Sequence, residues 1–143
     1  MTTYAKDFFK AAEGHRRAVE VLIDHEFTNG KRQPVVFALY NCLGFAVELY
    51  LKAFLANEGV TDDALMKKPY GHNLRQLFSE AKTRSFNTEL PAMERIIHFL
   101  HQDHSKYTYR YVPDGGDLMV FNDLLPVISA LREVHVSMQN ELA

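Results

Sequence analysis

The residues with the clearest chemical potential lie in one apolar, helical segment. Asn41, Glu48 and Lys52 are spaced at i, i+7 and i+11, which brings them within roughly 20° of one line along a helix. This polar line has two interpretations. It can be a stripe that faces solvent, with Glu48 and Lys52 as a surface ion pair contributing about 0.3 kcal/mol. It can also be the polar floor of a cleft or subunit interface. Residue types alone favour the solvent stripe.

A second candidate site is the basic segment 67–84, whose side chains could neutralise a phosphate. Against the single acid Glu80, its cations are Lys67, Lys68, Arg75, Lys82 and Arg84. Arg75 and Arg84 are better phosphate candidates than the lysines, because a guanidinium binds two oxygens at once. For any single lysine here, a solvated surface position is the safer interpretation. His72 begins the helix predicted in this segment, either as a capping or packing residue or as a ligand contact.

The next predicted helix carries Glu94, His98 and His101 at i, i+4 and i+7. This spacing puts a carboxylate and two imidazoles on one face, a donor set that suits a transition metal. No second cluster supplies a clear fourth ligand, and the spacing is not the HExxH pattern. We therefore predict no metal or cofactor, and if a metal were bound, these three residues would be its candidate ligands. His15 and His135 lie on apolar faces and are expected to be hydrogen-bonded core residues.

The segment after this helix alternates aromatic residues with positive charge. Tyr107, Tyr109 and Tyr111 flank Thr108 and Arg110 with a two-residue period, which is typical of extended chain. Aromatic rings interleaved with an arginine can stack bases and neutralise phosphate. Aromatic residues in an arm that covers a bundle are also ordinary packing.

The elements that must position these residues are helices. Apolar periodicity and end signals predict helices over about 3–27, 35–58, 72–83, from near 88, and from Asn122 or Asp123, with a short helical turn through Met66. The predicted fold is all-α: one domain, 1–143, forming an up-and-down bundle of four to five helices. A short extended arm or hairpin is expected near 106–121.

Composition limits the function classes. The chain has 143 residues, 47% of them hydrophobic, and a formal net charge of -2. A packed core is therefore expected, without an overall basic field that would attract nucleic acid. The single cysteine, Cys42, is interpreted as a core residue in a reducing compartment. Neither a signal peptide nor a run approaching the length of a membrane span is recognised, so the expected location is cytoplasmic, with no membrane partner.

Several short motifs resemble the HEPN family, whose name means higher eukaryotes and prokaryotes nucleotide-binding. The motifs are Ala46-Val47-Glu48-Leu49-Tyr50-Leu51-Lys52, Gly71-His72-Asn73-Leu74 and Tyr109-Arg110-Tyr111. Their order and approximate spacing match the family's A-x-E-x-x-L-K helix, its G-H-x-L helix start and its R-Y element, from about residue 35 to the end. The resemblance implies a helical bundle of four or five helices. By position it implies functional roles for Glu48, Lys52, His72, Arg110 and Tyr111.

The resemblance also implies a function. It favours a binding module for a nucleotide or RNA-related anion over an enzyme. Such a module would work as a homodimer or beside a nucleotidyltransferase, often in toxin–antitoxin or stress systems. A second hypothesis is a non-catalytic scaffold subunit that binds no ligand.

One branch of the family cleaves RNA without metal through an R-x(4–6)-H motif, which Arg95 and His101 fit formally. There His101 would act as general base or acid, and Arg95 would stabilise phosphate charge. On a regular helix the two side chains point about 120° apart, which counts against this metal-independent ribonuclease.

Overall fold

The computed structural model describes residues 3–29, 35–105 and 124–142, and over these ranges the chain is an all-α bundle, as predicted. The helices are α1 Thr3–Asn29, α2 Val35–Asn57, α3 Asp62–Met66, α4 Leu74–Thr83, α5 Leu90–Ser105 and α6 Leu125–Leu142. The short α3 is the predicted turn through Met66. The arm expected near 106–121, with Arg110 and Tyr111, lies outside the described residues.

Helix α2 is the centre of the bundle. It is apolar almost all round, and such a helix needs neighbours on several sides. Helices α1, α4, α5 and α6 all contact it, and buried residues occur around its whole circumference, from Val36 to Ala56. By length and composition α2 could also cross a membrane, so the expectation that no run approaches that length was wrong. Its burial by four other helices accounts for its composition without a membrane.

Helix α1 packs along α2 through small residues. Ala5, Ala12 and Val19, seven residues apart, have no solvent exposure, whereas Tyr4 is 52% exposed. Apolar residues recurring at three- and four-residue steps in the sequence of α1, among them Tyr4, Val19 and Ile23, predict the face that this helix buries. The prediction is correct for Val19 and Ile23, which are buried, and wrong for Tyr4. The alanines let the two backbones approach closely, and the larger Phe8 and Leu22 flank the contact as half-buried residues.

The ends of α4 are closed by two local motifs. The side chain of Asn73 accepts a hydrogen bond from the backbone N–H of Gln76 and caps the first turn. At the other end, the backbone N–H of Ser85 donates to the carbonyl of Lys82, and that of Phe86 donates to the carbonyl of Ala81. This pair of hydrogen bonds is a Schellman motif. Ser85 has a φ of 73° there, in the position where glycine is usual.

Proline marks the start of the last two long helices. Pro91 and Pro126 each fall in the first turn, of α5 and α6 respectively. The absent N–H of proline has no helical partner in that turn, so neither helix is disturbed. Helices α5 and α6 begin about two residues later than predicted.

Candidate functional site

Glu48 is the centre of a buried polar cluster, which we define as Glu48, Lys52, His72 and His104. Its Oε1 accepts from His72 Nδ1 at 2.9 Å and from His104 Nε2 at 2.7 Å. Its Oε2 lies 2.9 Å from Lys52 Nζ. The side chains of Glu48, Lys52 and His104 are each 2% exposed, whereas that of His72 is 32% exposed. His72 is therefore the member of the cluster that connects it to solvent.

The carboxylate of Glu48 is ionised because its partners outweigh the effect of burial. Burial alone would raise its pKa. The hydrogen bond from His104, together with the charge and hydrogen bond of Lys52, instead lowers the pKa from 4.5 to about 2. A buried carboxylate with three donors is fully satisfied, so the cluster is a stable feature of the core.

The close approach of α5 to α2 depends on Gly44. A Cβ atom at position 44 would lie 2.3 Å from Nδ1 of His104 and 2.9 Å from its Cγ. The absence of a side chain there lets the imidazole ring lie against α2, one turn before Glu48. The ring is also held by Phe45, whose ring centroid is 4.9 Å away in an edge-on arrangement.

His72 reaches the cluster through an unusual backbone conformation. Its φ of 55° is in the left-handed region, which is uncommon outside glycine, although histidine is enriched there with asparagine and aspartate. The following residue, Asn73, caps α4. Of the two roles left open for His72, capping is therefore wrong: Asn73 caps the helix, and His72 binds the carboxylate of Glu48.

The structure brings together some of the predicted site residues and changes how two of them are understood. Glu48, Lys52 and His72 meet, but Glu48 and Lys52 are buried, so the interpretation as a solvent stripe was wrong. Asn41, on the same line, is half-buried. His104 had been given no role, and the signal that could have found it is Gly44, the one glycine of α2, at i−4 from Glu48.

A shallow groove between α4 and α5 holds Arg75, the other described member of the predicted ligand set. The groove is lined by Arg75, Phe78, Ser79, Lys82, Glu94, Ile97 and His98. Arg75 Nη2 donates to His98 Nδ1 at 3.1 Å, so the proton of a neutral His98 is on Nε2. Lys82 lies 4.5 Å from the centroid of the Phe78 ring and 3.5 Å from Glu94. The predicted phosphate residue Arg84 lies elsewhere and bonds Glu80.

These contacts separate the three residues of α5, Glu94, His98 and His101, that were considered as possible metal ligands. Glu94 pairs with Lys82, and His98 accepts from Arg75, so cations already occupy the positions where a metal ion would bind. His101 turns inward. Its Nδ1 is buried and has no partner among the described residues. Burial, with Arg75 and His104 nearby, lowers the pKa of His101.

The predicted ribonuclease pair does not converge. Arg95 is exposed on α5, while Nδ1 of His101 is buried. The helical angle between the two positions already opposed a shared site, and the burial pattern agrees. Cys42 offers no alternative nucleophile, because burial raises the pKa of its thiol.

A second polar network joins α1, α2 and α6. The hydroxyl of Tyr50 accepts from Arg16 Nε at 3.1 Å and lies 3.0 Å from His135 Nδ1. Because an arginine can only donate, the hydroxyl keeps its own proton for donation to His135 Nδ1, an arrangement that suits a neutral His135 with its proton on Nε2. Burial, followed by the charge of Arg16, lowers the pKa of His135 accordingly. Glu20 accepts from both Arg16 and Arg132 and links α1 to α6.

This network explains the histidines expected in the core. His135 stacks on Phe9 at 4.7 Å between ring centroids and bonds Tyr50, and His15 bonds the carbonyl of Ala11. Both are half-buried and hydrogen-bonded. His135 joins α6 to α1 and α2 through these contacts, whereas the hydrogen bond of His15 stays within α1 and its ring lies 5.5 Å from that of Phe45 on α2.

Comparisons with known proteins identify no relative. No protein-family model, no curated protein and no solved structure matches the chain.

Proposed function

We propose that this chain is a helical binding module for a phosphate-bearing ligand, either a nucleotide or a short RNA segment. The observation that carries the proposal is the meeting of three nitrogen donors in the α4–α5 groove. Arg75, Lys82 and His98 all line this one concave surface. A guanidinium binds two phosphate oxygens, and a lysine adds a point charge beside it.

The geometry of the groove supports an anionic ligand in two further ways. Arg75 is held by His98, so its guanidinium is partly ordered before a ligand arrives, which reduces the entropy cost of binding. The pairing of Lys82 with Glu94 is loose, since the charged atoms are 3.5 Å apart and the two side chains are 42% and 66% exposed. An exposed pair of this kind contributes about 1 kcal/mol or less, so a phosphate can displace the carboxylate.

The motifs that resemble the HEPN family add to this proposal. His72 precedes α4 by two residues and Arg75, in the first turn of α4, lines the groove, so the residues that resemble the G-H-x-L element lead directly into the helix that carries Arg75. Because Glu48 and Lys52 are buried, their part in the proposal is to hold His72. The proposed assembly is a homodimer, or a complex with a nucleotidyltransferase partner, in the cytoplasm.

The test is a thermal unfolding series with ATP, and separately with a short single-stranded RNA. At ten times the dissociation constant, ligand adds about 1.4 kcal/mol of stability, which corresponds to about 4 °C in Tm for a domain of this size. We expect this shift in the wild type, and a much smaller one in Arg75→Ala and Lys82→Ala.

The matched control is Lys68→Ala, which removes the same charge from an exposed position outside the groove. It should keep the full shift in Tm. A shift that is equal in all variants would show that the groove is not the site. The absence of any shift with either ligand at millimolar concentration would reject the binding function and favour the scaffold hypothesis.

A further inference from the structure

We infer that Glu48, His72 and His104 form a binding site for a divalent transition-metal ion, with Zn²⁺ as the best match. Two imidazole nitrogens converge on one carboxylate oxygen, at 2.9 and 2.7 Å. The three potential ligand atoms all lie within 4.8 Å of one another. This site differs from the Glu94, His98 and His101 face considered from the sequence.

The donor set suits the ion. Zn²⁺ binds imidazole nitrogen and carboxylate oxygen at about 2.0–2.1 Å, so neighbouring ligands of a tetrahedral site are roughly 3.4 Å apart. The observed N···O distances of 2.9 and 2.7 Å are those of hydrogen bonds. The two N···O distances would have to lengthen by about 0.5 and 0.7 Å to admit the ion, and each ligating nitrogen would have to be deprotonated.

Three separate elements hold the ligands in place. Glu48 lies on α2, His72 immediately before α4 and His104 at the end of α5. Lys52 binds the other oxygen of Glu48 and thereby orients Oε1 towards the imidazoles, as partners of metal ligands commonly do. Gly44 provides the space for His104. The ligands are therefore positioned before any ion binds.

The burial pattern gives the site one opening. Glu48 and His104 are each 2% exposed and His72 is 32% exposed, so an ion enters beside His72. With three protein ligands, the fourth position belongs to water or to an external ligand on that side. The positive charge of Lys52 opposes the ion, so affinity is expected to be weaker than in structural sites built from thiolates.

The competing explanation is that the same residues are only a hydrogen-bonded core cluster. The two explanations differ in what Zn²⁺ does to untagged protein stripped with a chelator. A site binds one ion per chain, measured by competition with a chromogenic chelator, and shifts the ¹⁵N resonances of the His72 and His104 rings. A core cluster binds no ion, and those two resonances do not move.

The decisive variant is His72→Asn, because asparagine tolerates the left-handed backbone at this position. It should lower Zn²⁺ affinity by at least roughly 100-fold, since even the loss of an outer partner of a ligand costs about 10–100-fold. His98→Asn is the control, and it should leave the affinity unchanged. Circular dichroism verifies that both variants are folded.

Two results would overturn the inference. One is the absence of Zn²⁺ binding to the wild type with the ion in several-fold excess. The other is binding that persists in His72→Asn or is lost in His98→Asn, because the ion would then be held elsewhere. If His72→Asn does not fold, the ring resonances of the wild type decide: movement confined to histidines other than His72 and His104 refutes the site.

Discussion

Glu48→Gln should be one of the most destabilising single-atom changes available in this chain. The substitution keeps the shape of the side chain but removes its charge, and Lys52, 2% exposed, is left as an uncompensated buried cation. Losing one partner of a buried ion pair costs about 3–5 kcal/mol. The lowering of the Glu48 pKa from 4.5 to about 2 gives a similar figure of roughly 3 kcal/mol. For a domain of this size that corresponds to about 10 °C in Tm.

The assay is urea unfolding at pH 7, followed by circular dichroism, in a double-mutant cycle with Lys52→Met. Adding Lys52→Met to Glu48→Gln removes the stranded charge, so the double variant should regain about 1–3 kcal/mol of the loss. The control is Glu94→Gln, an exposed carboxylate whose lysine partner is 3.5 Å away, where a change of about 0.5 kcal/mol or less is expected. Equal effects of Glu48→Gln and Glu94→Gln, or no rescue by Lys52→Met, would refute the argument.

The same carboxylate predicts a pH dependence. Its folded-state pKa, about 2, is below the ordinary 4.5, so between these values the unfolded chain takes up a proton that the folded chain does not. Its stabilisation is therefore complete above about pH 4.5 and is lost as pH falls towards 2. The difference in unfolding free energy between wild type and Glu48→Gln should narrow over this window. A difference that stays constant from pH 7 to 3 would contradict the ion-pair explanation.

Three smaller effects can be measured by the same urea unfolding. Tyr50→Phe should cost about 1–3 kcal/mol, because it removes the acceptor for Nε of buried Arg16 and the hydroxyl beside His135. A neutral result would mean that water replaces the hydroxyl. Ser85→Gly should stabilise by about 0.5–1 kcal/mol, because φ is 73° there, and a loss of stability would contradict that conformation. Asn73→Ala should cost about 1 kcal/mol through the lost cap of α4, whereas no change would mean that water satisfies the first turn equally well.

The helices could be predicted from the sequence because their signals are local. Apolar periodicity, proline in first turns and polar caps all act within a few residues. The face that α1 buries was predicted only in part: Val19 and Ile23 were expected to be buried and are, whereas Ala5 and Ala12 were not recognised as buried residues. Tyr4 and Phe8 have larger side chains than Ala5 and Ala12, yet the alanines are fully buried, whereas Phe8 is half-buried and Tyr4 is exposed, since closely packed helices favour small side chains. That preference depends on which helix packs against α1, and the sequence of α1 by itself carries no information about its partner.

The candidate site was predictable only in part, for a related reason. Glu48 and Lys52 are visible as a polar line, and the G-H-x-L element singles out His72. Whether such a line faces water or the interior depends on what covers it, and the cover here includes His104, which is 56 residues from Glu48. A contact between residues so far apart in the sequence produces no periodic pattern of residue types.

Gly44 makes the contact between Glu48 and His104 possible. Gly44 lies on the second helix, where its lack of a side chain costs stability relative to alanine, roughly 0.5–1 kcal/mol in a helix interior. That cost is offset because a methyl group would occupy the space of the His104 ring. A small residue one turn from a buried carboxylate therefore indicates that another side chain has to reach that carboxylate. Here the incoming side chain is an imidazole that points at the same oxygen as His72, and this convergence makes the core of the bundle a candidate for metal binding as well as for packing.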